Sequence, residues 1–393
     1  MTRVKVSILS ISLLIIMAGA AVAPVLADIS LYFRDVHPQL VKMIMTLPAL
    51  MIIPFSFLTG FLAKRYRKKH LALWGLIGYL IGGVGSGFAD NIFSILLLRA
   101  LLGASVGVLS PLAIGLIADL FSGAERTKMM GYSVASNNLG GGLATVAAGI
   151  LAVFHWRYAF LIYGLSFLVF MLVYFFLPKD AGWDKPEDVY VDVQMKKSGK
   201  GTLKWALFTF FMIIIFFSIP THLDFFIFAE NLGTSATTGI LMGLLTGISL
   251  LTGVIFQKLV AILRDKTAII SFLFLLAGFL FLSIFSNIYA IGAAIVFAGL
   301  SIGLLIPLIM DSVTKEVRPG DTIFALAVIN FSLYLGQFIS PLIPGLLESL
   351  LSIDSTRFPF YVSAIMSFLA VLGLWFFRKP KFTPSSYLYE NQK

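Results

Sequence analysis

The chain of 393 residues contains no cysteine. Disulfides, thiol nucleophiles and thiolate metal sites are therefore excluded. Charge is also scarce. Only 12% of residues are charged, about half the ~25% usual for soluble domains. The four histidines, His37, His70, His155 and His222, are scattered, and no His/Glu spacing suggests a metal site. No Gly-x-x-x-x-Gly-Lys-Ser/Thr motif occurs, which excludes ATP coupling through a P-loop. The net charge is +10, yet no soluble basic domain is visible, so nucleic acid is not an expected partner. No cofactor and no enzymatic activity are expected.

What is abundant is apolar sequence. The chain is 59% hydrophobic, with a mean hydropathy of +0.96. Apolar runs recur, each of roughly the ~20 residues that let a helix span a bilayer. They lack the period-2 alternation of a membrane β-barrel. The spacing predicts helices at 6–27, 40–63, 70–88, 92–119, 127–153 and 157–177. Six more follow at 204–229, 236–262, 267–285, 288–314, 320–347 and 357–377. The first stretch has the basic start and small residues of a signal peptide, but its length from Val6 to Ala27 suits an uncleaved span. Between the sixth and seventh helices, 178–203 is charged and contains glycine and proline, so it reads as a linker. The expected domains are thus 1–177, the linker 178–203, 204–379, and a tail 380–393.

Lys and Arg set the orientation. Of 29 such residues, 24 fall on the side of the N-terminus and four (Arg34, Lys42, Arg157, Arg357) on the other. The bias predicts a multi-pass protein of the cell membrane with both termini in the cytoplasm. Its surroundings are the lipid bilayer, and a monomer is the expected assembly.

The second half of the chain repeats the first. Pro24-Val25-Leu26-Ala27-Asp28 returns as Pro220-Thr221-His222-Leu223-Asp224, 196 positions on. Gly103, Gly107 and Pro111 return as Gly299, Gly303 and Pro307, and Gly140 and Gly149 as Gly336 and Gly345, all at 196. Arg157 and Phe160 return as Arg357 and Phe360 at 200. Six helices per repeat bring both halves in from the same side. The expected fold is an all-α membrane protein of twelve transmembrane helices in two six-helix bundles, related by a parallel internal repeat. That is the architecture of many secondary transporters, with the site between the halves.

Ionisable groups inside a membrane helix are costly and point to function. Asp224 lies in an apolar run and Asp28 is its counterpart. A carboxyl that is neutral in one state and ionised in another can couple transport to protons; the alternative is an interfacial acid wetted at a helix end. His222 lies about 200° around the helix from Asp224, so a relay between them is not expected. Arg99 is the basic residue clearly inside a helix and needs a carboxylate, carbonyls or an anionic substrate group. Asn137 and Asn138 precede three consecutive glycines in the fifth helix, and Asn330, Tyr334 and Gln337 share one face of the eleventh. Together with His222 these are the candidate substrate-binding residues, with interhelical hydrogen bonding as the alternative.

These residues give a resemblance. Gly60-Phe61-Leu62-Ala63-Lys64-Arg65-Tyr66-Arg67-Lys68-Lys69 is similar to the Gly-x-Leu-Ala-Asp-Arg-x-Gly-Arg-Lys loop of the major facilitator superfamily, with Lys64 and Arg67 at the acidic and second glycine positions. Leu98-Arg99 with Gly103, and Trp156-Arg157-x-x-Phe160, match two further motifs. The fifth-helix antiporter motif is degenerate here, reading Gly131, Gly140, Ala144-Thr145 and Ala148-Gly149, with Thr145 at a proline position and small residues preserving close packing. The chain resembles this superfamily over essentially its whole length, and most of all its twelve-helix drug:proton antiporter branch. The resemblance implies alternating access, proton coupling through Arg99 as well as the acids, and gating at Gly60, Arg65, Gly103, Gly140, Gly149 and Pro341. The expected activity is proton-coupled efflux of small amphipathic compounds. A polar metabolite such as a sugar, siderophore or organic anion is the alternative substrate. A sensor or scaffold is a further alternative, although it would ordinarily bring a soluble output domain.

Overall fold

A computed structural model describes residues 2–178, 200–316, 322–353 and 355–376. Most of the expected linker and tail lie outside these residues. All secondary structure among the described residues is helical. Ten stretches are long and apolar enough to cross a membrane: α1 (Thr2–Tyr32), α2 (Pro38–Arg65), α4 (Ile92–Leu120), α6 (Trp156–Phe176), α7 (Gly201–Ala229), α8 (Ser235–Val254), α9 (Phe256–Ile284), α10 (Ile288–Glu316), α11 (Phe324–Leu351) and α12 (Phe358–Phe376). The other two rods are α3 (Lys68–Ser86) and α5 (Gly123–Ala152). They are less apolar because α3 opens on Lys-Lys-His and α5 carries Ser, Asn and Gly through its middle. Twelve helices result among the described residues, with α1 beginning and α12 ending on the same side.

The helices pack into two six-helix bundles, each with its own apolar core. One core runs from Ile8 to Leu177, the other from Trp205 to Ala364. The repeat is visible in how helix ends are satisfied. The Asn91 side chain accepts from the Ser94 N–H (2.8 Å) and caps α4; Asn287, at the matching position of the second half, accepts from Ala290 (2.8 Å) and caps α10. Arg157 donates to carbonyls just past the end of α3, Gly87 (3.0 Å) and Ala89 (3.1 Å), and to Asp90. Arg357 does the same for α9, reaching Ser283, Ile284 and Glu230. Glycines repeat their close approaches too. A Cβ on Gly140 would lie 1.9 Å from the Leu13 carbonyl of α1, and one on Gly336 would lie 3.0 Å from Phe210 of α7. Backbones that close leave no room for a side chain.

Four helices are interrupted where the sequence pattern implied continuous rods. α1 pauses between Ala20 and Leu26, and α7 between Phe216 and Ser218. A proline stands within the first break and just after the second (Pro24, Pro220), where it cannot donate to the preceding turn. The freed carbonyls find other partners. Val22 N–H turns to Gly19 O (3.3 Å), which leaves the Ala18 carbonyl for Arg99 and Tyr163. Ser340 donates to Ile214 O (2.7 Å), just ahead of the α7 break. α11 itself breaks at Ser340-Pro341, and the expected helix 236–262 bends at Ile255. The first helix also runs past its expected end at 27, so Asp28 opens a further helical segment.

Candidate functional site

The two broken helices aim a carboxylate at the seam between the bundles. Asp28 and Asp224 each stand four residues beyond their proline. Asp224 is 3% exposed. Its Oδ2 accepts a hydrogen bond from the Ala27 N–H of the other half at 2.8 Å. Ala27 is the second residue of the segment Leu26–Tyr32, and a first-turn N–H has no partner within its own helix. The carboxylate of one half therefore caps a helical segment of the other. Its Oδ1 accepts from the Thr238 hydroxyl of α8 at 2.7 Å.

Asp28 makes the reciprocal link. It accepts from the hydroxyl of Ser235, the first residue of α8. Each half thus offers a carboxylate to a donor on its partner half. A hydrogen bond to a charged group contributes about 1.5–3 kcal/mol, and the pair forms a crossed latch. Beside it lies a cavity of about 150 Å³ lined by both carboxylates, Val153, Phe228 and Ser235. At ~30 Å³ per water this admits a few water molecules.

Two more contacts seal the same end. A Cβ on Gly149 of α5 would meet the Ser235 carbonyl at 2.6 Å, and one on Gly239 of α8 the Thr145 carbonyl at 2.8 Å. On the other flank, Gly345 of α11 meets the Gln39 side chain of α2. Toward the opposite end, where α1 begins and α12 ends, a Cβ on Gly142 of α5 would lie 3.5 Å from Thr246 of α8, and Leu139 of α5 and Leu251 of α8 are 54% and 61% exposed.

Lys42 joins this seam, although its sequence position groups it with the loop charges. It is 7% exposed, and its ammonium stands 5.6 Å from the ring centroid of Phe225, which follows Asp224 on the other half. Its signal was position: it falls in the first turns of α2, with apolar residues on either side.

The other candidates divide. His222 is buried and turned from Asp224, its Nδ1 held by Thr221 Oγ1 (2.9 Å) and Ser218 O (3.0 Å). Its Nε2 is buried with no partner among the described residues, as is Asn137 Oδ1. Asn138 donates back to Val134 O at 3.0 Å. Tyr334 crosses the seam to pack on the first core, Gln337 is half-buried, and Asn330 is exposed. Gly103 abuts the Pro48 carbonyl of α2, its Cβ position 2.4 Å away. Pro341 is buried at the α11 break, whereas Gly60 faces open space and Arg65 is exposed.

Arg99 is fully buried and stands apart from both carboxylates. It donates to Ile44 O (2.9 Å), Tyr163 Oη (2.9 Å) and Ala18 O (2.5 Å), with its guanidinium over the Tyr163 ring. Its three partners lie on α2, α6 and α1. It fastens the backbone carbonyl that the α1 break sets free.

Known proteins share this architecture. A family description, Major Facilitator Superfamily, matches residues 8–268 and 207–390. The chain belongs to the major facilitator superfamily. Among curated relatives, the triacylglyceride transporter of Mycolicibacterium smegmatis is 28% identical over 174 residues, 43% of this chain and 30% of that protein. Mouse protein spinster homolog 1 is 29% identical over 39% of this chain and 30% of its own length. The alignment thus spans under a third of each of these two relatives. The uncharacterized MFS-type transporter YceJ of Bacillus subtilis is 23% identical over 81% of this chain and 80% of its own. Among solved structures, a bacterial homolog of the human lysosomal transporter spinster, inward-facing and occupied, superposes with a TM-score of 0.74 at 13% identity, covering 98% of each chain. The nucleoside transporter NupG gives 0.77 at 9% identity, covering 95% of this chain and 99% of that one.

Proposed function

We propose that the protein is a proton-coupled exporter of small amphipathic compounds, working by alternating access from the cytoplasmic face of the cell membrane. The crossed latch carries this reading. An ionised Asp224 accepts from Ala27 N–H on one oxygen and from Thr238 on the other. Protonation turns one oxygen into a donor and removes the charge that strengthens both bonds. The cross-link between the halves is then weakened, and the sealed end opens more readily. The cavity at the latch supplies a proton route from that side. With the termini cytoplasmic, as the Lys/Arg bias implies, the sealed end is external. Asp28 shares the proton-coupling role. Arg99 is a positioning residue that holds the α1 break. His222, Asn137, Asn138, Asn330, Tyr334 and Gln337 line the transport route, and Gly149 and Pro341 serve the gate with Gly60, Arg65, Gly103 and Gly140.

Amphipathic cargo fits the aromatic seam of Phe217, Phe225 and Tyr334, and two relatives bear names that refer to triacylglyceride and to spinster. Lys42 supports a second reading, an organic anion as cargo, because a buried ammonium with an aromatic partner can pair with a carboxylate or phosphate. In proteoliposomes with an imposed pH gradient, wild type is expected to accumulate ethidium and Asp224→Asn to lose this while reaching normal expression. Full gradient-driven activity in Asp224→Asn would overturn proton coupling there. Lys42→Gln separates the cargo readings: retained ethidium transport supports amphipathic cations, and transport confined to benzoate-like anions that Lys42→Gln abolishes supports the second.

A further inference from the structure

A cleft in the second half stands apart from the seam. In the first half, Lys69 at the start of α3 donates to the carbonyls of Tyr174 (2.8 Å) and Leu177 (2.5 Å), tying α3 to the end of α6. In the second half, Lys266 stands at the head of the helix run from Thr267 to Ile284. It lines a cavity of about 1130 Å³ between α7, α9 and α12. That exceeds the ~300–1,000 Å³ of ordinary small-molecule pockets.

The lining is organised by depth. Lys204, Phe208, Phe211 and Ile215 fall four, three and four residues apart, one stripe of α7. Met366, Leu369, Ala370 and Gly373 form the facing stripe of α12. Lys204, Arg264, Asp265 and Lys266 gather at the end nearest the termini, and the rest is apolar. The mouth carries three cations against one anion. From Lys204 to Ile215 the stripe runs about 16 Å at ~1.5 Å per residue, close to half of the ~30 Å hydrocarbon core. The side is open as well: Phe211, Ile262 and Leu369 are 53%, 76% and 58% exposed.

We infer that this cleft is a binding site for an anionic membrane phospholipid of the leaflet on the terminal side. The phosphate lies among Lys204, Arg264 and Lys266, and an acyl chain lies along the α7 and α12 stripes. A basic mouth above a leaflet-deep apolar slot matches such a lipid in both charge and length. The cleft belongs wholly to the second half and stands apart from the seam, so it adds a lipid requirement to whatever cargo the seam carries.

Native mass spectrometry of the full chain in mild detergent, with equimolar phosphatidylglycerol and phosphatidylcholine of the same acyl chains, tests this. Wild type is expected to retain phosphatidylglycerol at least about fivefold over phosphatidylcholine, in line with ~1 kcal/mol per basic group. Arg264→Gln/Lys266→Gln is expected to lose that preference, while Lys128→Gln, exposed on the first half, keeps it. Melting temperatures in neutral detergent check folding of both variants. Within the same design, phosphatidylglycerol should raise the melting temperature of wild type and not of the double variant. Equal retention of the two lipids by wild type, or an undiminished preference in a folded double variant, would overturn the site.

Discussion

At the scale of single residues, burial and partner decide role. Asp224 is costly where it lies, and two donors offset that cost, one of them from the other half. Arg99 is equally buried, but every partner given to it belongs to its own half. That difference separates a group able to sense the seam from one that braces it. Arg99→Lys is accordingly expected to lower stability by roughly 2–4 kcal/mol, because an ammonium cannot reproduce a fork that spans three helices; thermal unfolding in detergent measures it. If the melting temperature is unmoved, the bracing role is wrong. The sequence made both residues visible, since a charge in an apolar run stands out. It hid Lys42, whose place near a helix start made it look like a loop cation. It also concealed that one of Arg99's acceptors is a carbonyl released just before the α1 break.

At the scale of helices, the repeat was legible at a nearly constant offset because glycine, proline and asparagine mark fixed geometric needs. Asn91 and Asn287 cap corresponding helices, and Gly140 and Gly336 admit corresponding backbones. The breaks in α1 and α7 were foreshadowed by Pro24 and Pro220. The bend at Ile255 had no such marker, because no proline or glycine pair fixes its position and packing against neighbours sets it. Gly149 makes an element-scale prediction. A Cβ there would fall 2.6 Å from the Ser235 carbonyl of α8, so Gly149→Val must push the helices apart. The variant is expected to spend more time open at the sealed end, seen as a longer label-to-label distance across the α5–α8 contact. An unchanged distance would show that this contact does not hold the seal.

For the whole molecule, composition alone implied a polytopic helical protein, and the repeat implied two parallel bundles. Which ends touch was not legible, because apolar spacing does not say where the two halves meet and only packing decides it. Here the halves meet through α1–α7, α5–α8 and α2–α11 at the end remote from the termini. The lack of cysteine makes the seal directly measurable, since two introduced cysteines are the only labelling sites. The pairing Phe154→Cys with Phe228→Cys suits it, these being exposed residues on opposite halves near the latch. The sign is set by the hydrogen bonds. On the proposed coupling, the latch is strongest with Asp224 ionised and weakens as pH falls and the carboxyl gains its proton. Spin-label distances across this pair, taken in alkaline and acidic buffer, test the central claim most directly. The expected distance lengthens on acidification in the wild-type background and is insensitive to pH in Asp224→Asn. A distance that ignores pH in the wild type, or that responds equally with and without Asp224, would contradict the latch.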